Sequence, residues 1–124
     1  MELTKLPSAE FEVMKVVWNN IPPITTSIMM DQLGYDRKWK NQTALTLFTR
    51  LVKRGFLRTE KDGKERLYYP LIDRDTYLEY ESNDFLKRYH SDSVISLVST
   101  LYQDKKMSQK DLDDLEKWLE EKKD

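Results

Sequence analysis

The chain has 124 residues, room for one ordinary domain or a small domain with an appended module. With 39% hydrophobic and 35% charged residues it has the composition of a folded protein, and the absence of cysteine excludes disulfide scaffolds, thiol catalysis and Cys-based zinc or copper sites. A formal charge of −1 conceals an asymmetry: residues 1–70 carry twelve Lys or Arg against eight acids, whereas residues 71–124 carry nine against fourteen. A basic nucleic-acid module beside an acidic one gives such a pattern.

Met1 to Pro7 lacks a basic segment followed by an apolar one, and no apolar run approaches the roughly 20 residues of a membrane span. The expected location is therefore the cytoplasm, with no membrane insertion. Ser8 after Pro7 reads as an N-cap, and Phe11, Met14, Val17 and Trp18 recur at helical spacing, predicting a first helix over residues 9–20 that Pro22 and Pro23 end. Thr25 or Thr26 caps a short second helix running to Leu33, with Gly34 as its stop.

The third helix is predicted over residues 41–54, closed by Gly55. Ala44, Leu47, Phe48, Leu51 and Val52 fall at i, i+3, i+4, i+7 and i+8, a full apolar stripe. Gln42, Thr43, Thr46, Thr49, Arg50 and Lys53 make the opposite face. Threonine is a mediocre helix former, so three on one exposed face call for a reason beyond propensity, and contact with base edges supplies one. Residues 56–60 and 65–69 then read as two strands joined across Lys61-Asp62-Gly63-Lys64, where Asp-Gly signals a hairpin. Three helices and a two-stranded wing are the order of a winged helix-turn-helix domain, placed at residues 1–70.

Between Arg37 and Arg66 ten Lys or Arg face three acids, a local net charge of +7. Lys40, Asn41, Gln42, Thr43 and Thr46 form the end of the helix that would enter a major groove. Arg50, Lys53 and the wing residues Lys61, Lys64 and Arg66 suit backbone phosphates better. On composition alone a solvated polar face accounts for the helix equally well; its placement before a basic hairpin favours duplex DNA. Trp39 is read as a packing residue that orients this helix.

Beyond Pro70 the pattern is helical again, with Asp73 or Asp75 as a cap and Tyr77, Leu78, Phe85, Leu86 and Tyr89 as apolar or aromatic positions. The acids around these aromatics argue against stacking on single-stranded bases and for packing. Two further stretches carry Val94, Ile95, Val98, Leu101 and Tyr102, then Leu112, Leu115, Trp118 and Leu119, the last opened by Ser108 and Asp111 in a capping-box arrangement. Residues 71–124 are too few to enclose a large core alone, so their stripes are expected to meet a second chain: a mostly α fold with a C-terminal helical dimerisation region. His90 is the single histidine, and glycine occurs only at 34, 55 and 63, so no metal site of familiar spacing and no phosphate-cradling loop is predicted. No cofactor and no enzyme activity are expected. A non-catalytic winged-helix module for protein–protein docking remains open beside DNA binding.

Several segments resemble one family: Ser8-Ala9-Glu10-Phe11-Glu12-Val13-Met14 with Trp18; Trp39 with Thr43, Thr46, Arg50-Leu51 and Lys53-Arg54-Gly55; Tyr69-Pro70; and Phe85-Leu86 with Ser108 downstream. In order and spacing they resemble the penicillinase-repressor family of BlaI, MecI and CopY over nearly the whole chain. The resemblance implies a homodimeric winged-helix repressor of palindromic operators in a bacterial cytoplasm, dimerising through helices after Pro70. Val94, Ile95, Val98, Leu101, Leu112, Leu115 and Leu119 are the expected interface. It also implies control of β-lactam resistance genes and inactivation by cleavage in the dimerisation region, with a membrane sensor protease as partner. The cleaved Asn-Phe dipeptide of the β-lactam-responsive branch is not preserved at the matching place, Thr100-Leu101, and the C-terminal cysteine cluster of the copper-responsive branch is absent.

Overall fold

A computed structural model describes residues 3–123. Helix α1, Ser8–Trp18, begins one residue before the sequence pattern predicts. Its N-cap is Pro7, not Ser8: Pro7 has φ −57° and ψ 154°, makes no side-chain cap, and accepts the first helical bond from Phe11 N–H at 2.9 Å. Proline's fixed φ sets the entry that a capping hydroxyl was expected to provide. Val13, Met14 and Val17 of α1 enter the core.

Thr25 caps α2, Thr26–Met29, its hydroxyl accepting from Ile28 N–H at 3.2 Å. The chain continues through a π-helical turn, Met30–Gly34. Gly34 is therefore not the left-handed stop expected from sequence. It lies inside that turn, and a β-carbon there would come 2.3 Å from Sδ of buried Met30; the left-handed residue is Lys38, φ 59°.

Helix α3, Asn41–Lys53, buries Ala44, Leu47, Phe48 and Leu51 of the predicted stripe, while Val52 is only half-buried at its edge. It ends in a complete Schellman motif: Gly55 adopts φ 82°, Gly55 N–H donates to Val52 O and Phe56 N–H to Leu51 O, both at 3.0 Å. Leu51 and Phe56 are both buried, the apolar contact that accompanies this motif.

Strands β1, Leu57–Asp62, and β2, Glu65–Pro70, pair antiparallel with Leu57 opposite Pro70 and Asp62 opposite Glu65. The connection is thus the two residues Gly63-Lys64 rather than four, with Gly63 first at φ 63°, the position a II′ hairpin reserves for glycine. Ile24 adds an unforeseen third pairing: it exchanges two backbone bonds of 2.9 Å with Tyr68 and is fully buried. The Tyr68 ring stacks on Phe48 at 3.9 Å between centroids, fastening the wing to α3.

Asp73 caps the next helix by accepting from Thr76 N–H at 2.7 Å, and the Thr76 hydroxyl together with that N–H holds its carboxyl below the usual range. Helix α4, Arg74–His90, contributes Tyr77 to the first core. The Tyr77 hydroxyl accepts from Leu6 N–H (2.8 Å) and donates to Glu81 (2.9 Å). Burial, opposed by the Leu6 bond and aided by Glu81, pushes its pKa up to about 12. Because Tyr77 belongs to this core, the compact units are Met1–Glu81 and Ser82–Asp124, dividing within α4 rather than at the expected Pro70.

The second unit contains the end of α4, then α5, Val94–Gln103, capped by Ser93, and α6, Gln109–Lys122. Ser108 and Asp111 form the expected capping box, and the Ser108 backbone and hydroxyl lower the Asp111 pKa. His90 ends α4 with Nδ1 2.9 Å from the Ser96 hydroxyl. Among the described residues none from Ser82 onward is buried.

Candidate nucleic-acid interface

The buried stripe of α3 leaves its other face outward. Lys40, Asn41, Gln42 and Thr43 are exposed at its N-terminal end, followed by half-buried Thr46 and exposed Arg50 and Lys53. Gln42, Thr43, Thr46 and Arg50 border one shallow groove with the edge of Leu47. The Thr46 hydroxyl donates to Gln42 O and that of Thr49 to Leu45 O, each at 2.9 Å. These back-bonds satisfy the hydroxyl donors within the helix, which is how threonines are accommodated here. Each oxygen keeps accepting capacity, and each methyl remains for apolar contact.

Local ion pairs divide the ten cations between Arg37 and Arg66. Arg37 pairs with Glu12, Arg54 with Glu10 at 2.8 Å and Arg58 with Glu60 at 2.7 Å. Among the described residues Lys38, Lys40, Arg50, Lys53, Lys61, Lys64 and Arg66 have no acidic partner. All but Lys38 belong to the set expected from sequence. Lys38, outside that set, stands exposed and left-handed in the turn before α3.

Strand register sorts the wing's charges by face, since alternate residues point to opposite sides. Lys61 lies opposite Arg66 on the face that carries buried Leu57 and Tyr68, whereas Glu60, Asp62 and Glu65 share the other face with Arg58 and Tyr69. Burial raises the Tyr68 pKa, and the Arg66 charge and Thr59 hydroxyl on its own face oppose that rise. On the outer face the Arg58 guanidinium lies 3.9 Å from the Tyr69 ring centroid, a cation–π contact. Three bases and three acids between Glu60 and Arg66 cancel in number but not in direction. Lys64 sits in the turn itself.

The expected dimerisation residues occupy two helices. Val94, Ile95 and Leu101 are exposed and Val98 half-buried on α5; Leu112, Leu115 and Leu119 border one open groove on α6. Phe85, Tyr89, Tyr102 and Trp118, read from sequence as apolar positions but not as interface residues, are also exposed. Thr100 and Leu101 lie within α5, where the Thr100 hydroxyl donates to Ser96 O at 2.9 Å. Trp39 packs against the first core, as read from sequence. Among the described residues no three His, Asp or Glu are grouped to hold a metal ion, and no helix is long and apolar enough to cross a membrane.

A stripe-packed α3 behind a short second helix, with a two-stranded wing stacked on it, defines a winged helix-turn-helix protein of the DNA-binding class. The fold is similar to the solution structure of the DNA-binding domain of the repressor BlaI, at TM-score 0.54 and 34% identity over 61% of this chain and 92% of that one. It is also similar to Bacillus licheniformis BlaI in monomeric form in complex with the blaP half-operator, at TM-score 0.51 with the same identity and coverage. In sequence the chain is 32% identical to the penicillinase repressor of Bacillus licheniformis over 98% of this chain and 94% of that protein. It is 30% identical to the methicillin resistance regulatory protein MecI of Mammaliicoccus sciuri over 95% of each. Residues 6–121 match the family described as Penicillinase repressor; the chain belongs to that family, one of transcriptional repressors and not of enzymes.

Proposed function

We propose that the chain is a homodimeric repressor of the bacterial cytoplasm that places α3 of each copy in successive major grooves of a palindromic operator, about 34 Å apart. The observation that carries this is the α3 face, where unpaired cations, amides and back-bonded threonines stand opposite the buried stripe. Lys40, Asn41, Gln42, Thr43 and Thr46 read base edges: Gln pairs with adenine, Lys reaches guanine, and the Thr46 methyl meets a thymine methyl. Arg50 and Lys53 fix register on phosphates. Lys61, Lys64 and Arg66 add affinity of low sequence dependence.

The dimer is assigned to Val94, Ile95, Val98, Leu101, Leu112, Leu115 and Leu119. Support comes from their surroundings, since the described part of the second unit buries no side chain and an apolar surface of this extent is stabilised by a second copy. The regulated genes are β-lactam resistance genes, as the penicillinase and methicillin-resistance relatives suggest. Release follows cleavage near Thr100-Leu101 by a membrane sensor protease. Both residues are exposed but helical, so cutting requires local unwinding of α5.

A mobility-shift titration tests the DNA assignment, using duplexes enriched from a random pool by the wild-type chain. Preference for the enriched duplex over random duplex, with affinity falling steeply as salt rises, is the expected result. Indifference to all duplexes at low and moderate salt would instead favour protein docking.

A further inference from the structure

Two acids of α1 reach the two ends of the α3 segment. Glu10 is 2% exposed, and its carboxylate accepts from Nε of Arg54, the residue that caps α3 at its C-terminal end, at 2.8 Å. Glu12, one turn-fraction further on the same helix, pairs with Arg37 in the turn that leads into α3. A buried carboxylate is stable only when paired and hydrogen-bonded, so the Glu10–Arg54 contact fixes where α3 ends relative to α1. The Glu12–Arg37 pair is more exposed and adds little stability, but it ties down the other end of the same segment.

We propose that Glu10 and Glu12, through Arg54 and Arg37, are positioning residues that set the angle at which α3 presents its side chains to DNA. This rests on the assignment of α3 to the major groove. By charge alone Arg37 and Arg54 belong with the phosphate contacts. Their carboxylate partners remove them from that role, and both flank the helix whose direction matters for base reading. Sequence discrimination depends on the direction in which Gln42 and Thr46 approach, whereas phosphate attraction tolerates small rotations. Loss of a positioning pair thus lowers discrimination without changing how many phosphates are neutralised.

The experiment compares binding of an enriched duplex and a random duplex across a salt series for the wild-type chain, Arg37→Gln, Glu12→Gln and the double variant Glu10→Leu with Arg54→Met. The double variant replaces the buried carboxylate and its partly exposed partner by apolar groups, a change that buried ion pairs often tolerate without unfolding. Expected is a discrimination ratio lowered about tenfold in the double variant, comparable to one misread base pair, and about two- to threefold in Arg37→Gln and Glu12→Gln, with an unchanged salt slope in Arg37→Gln. A slope reduced by about one in Arg37→Gln with discrimination intact makes Arg37 a phosphate contact and overturns the proposal. Unchanged discrimination in all three variants overturns it too. Should the double variant unfold, the exposed Arg37 and Glu12 substitutions still decide. If the wild-type chain enriches no duplex, the DNA assignment falls as well; enrichment with unaffected variants overturns the positioning role alone.

Discussion

Among the described residues the first unit encloses a core of fifteen buried apolar side chains from Leu6 to Tyr77; in the second, the helices bury none. The first has long-range fasteners of several kinds: the Ile24–Tyr68 bridge, the Phe48–Tyr68 stack and the Glu10–Arg54 pair. The second is held by local devices, namely the Ser93 cap, the Ser108–Asp111 box and ion pairs such as Lys110–Asp114. Local devices set where helices begin but do not hide Val94, Ile95 or Leu119. The difference fits the proposed division of work, in which the closed first unit reads DNA and the open second unit pairs with its own copy.

The comparison breaks most visibly if the first core is damaged. Phe48→Ala removes the ring stacked on Tyr68 and is expected to destabilise the first unit by about 3–5 kcal/mol, read by denaturant unfolding. Leu112→Asp acts on the other side. An aspartate in the α6 groove is expected to raise the dimer dissociation constant about 100-fold or more in sedimentation while leaving the unfolding of the first unit unchanged. A protein that stays dimeric would remove α6 from the interface.

Smaller effects sharpen the division within the first unit. Thr46→Ala is expected to relax preference at one base pair by about 1 kcal/mol in competition binding. Lys64→Ala should weaken all duplexes alike and reduce the salt slope by about one; an unchanged slope would take the turn lysine off the phosphates. The smallest change concerns the cap of α6. Because the Asp111 pKa is lowered on folding, its contribution is present above the ordinary carboxylate range and is lost as pH falls through the lowered value. Helicity measured by circular dichroism should show this acid loss in the wild type, and Asp111→Asn should flatten that part of the profile.

Much of this was legible in sequence where it depends on neighbours along the chain. The α3 stripe, the Gly55 stop and the Ser108–Asp111 box are patterns of a few residues, and each is in place. What depends on partners far away was not. Nothing near Glu10 in sequence announces its partner Arg54, 44 residues on. Ile24 gives no sign in sequence of its pairing with Tyr68, and Gly34 read as a stop because the clash it avoids involves a buried Met30 side chain. In the wing, charge could be counted, but its division between faces followed only once Lys61 was known to lie opposite Arg66. The unit boundary moved into α4 for the same reason: Tyr77 belongs to the core that Leu6 and Phe56 help build.

The central claim is that the open surface of the second unit gives the closed surface of the first its affinity, by pairing two readers on one duplex. The most direct test measures binding of the wild-type chain and of Leu112→Asp to a full enriched palindrome and to one half of it. Linking two sites gains about 100-fold or more, so the wild type should prefer the full palindrome by that margin, and Leu112→Asp should bind both with the wild-type half-site affinity. A monomeric Leu112→Asp that keeps the full-palindrome preference, or a wild type that shows none, would contradict the account.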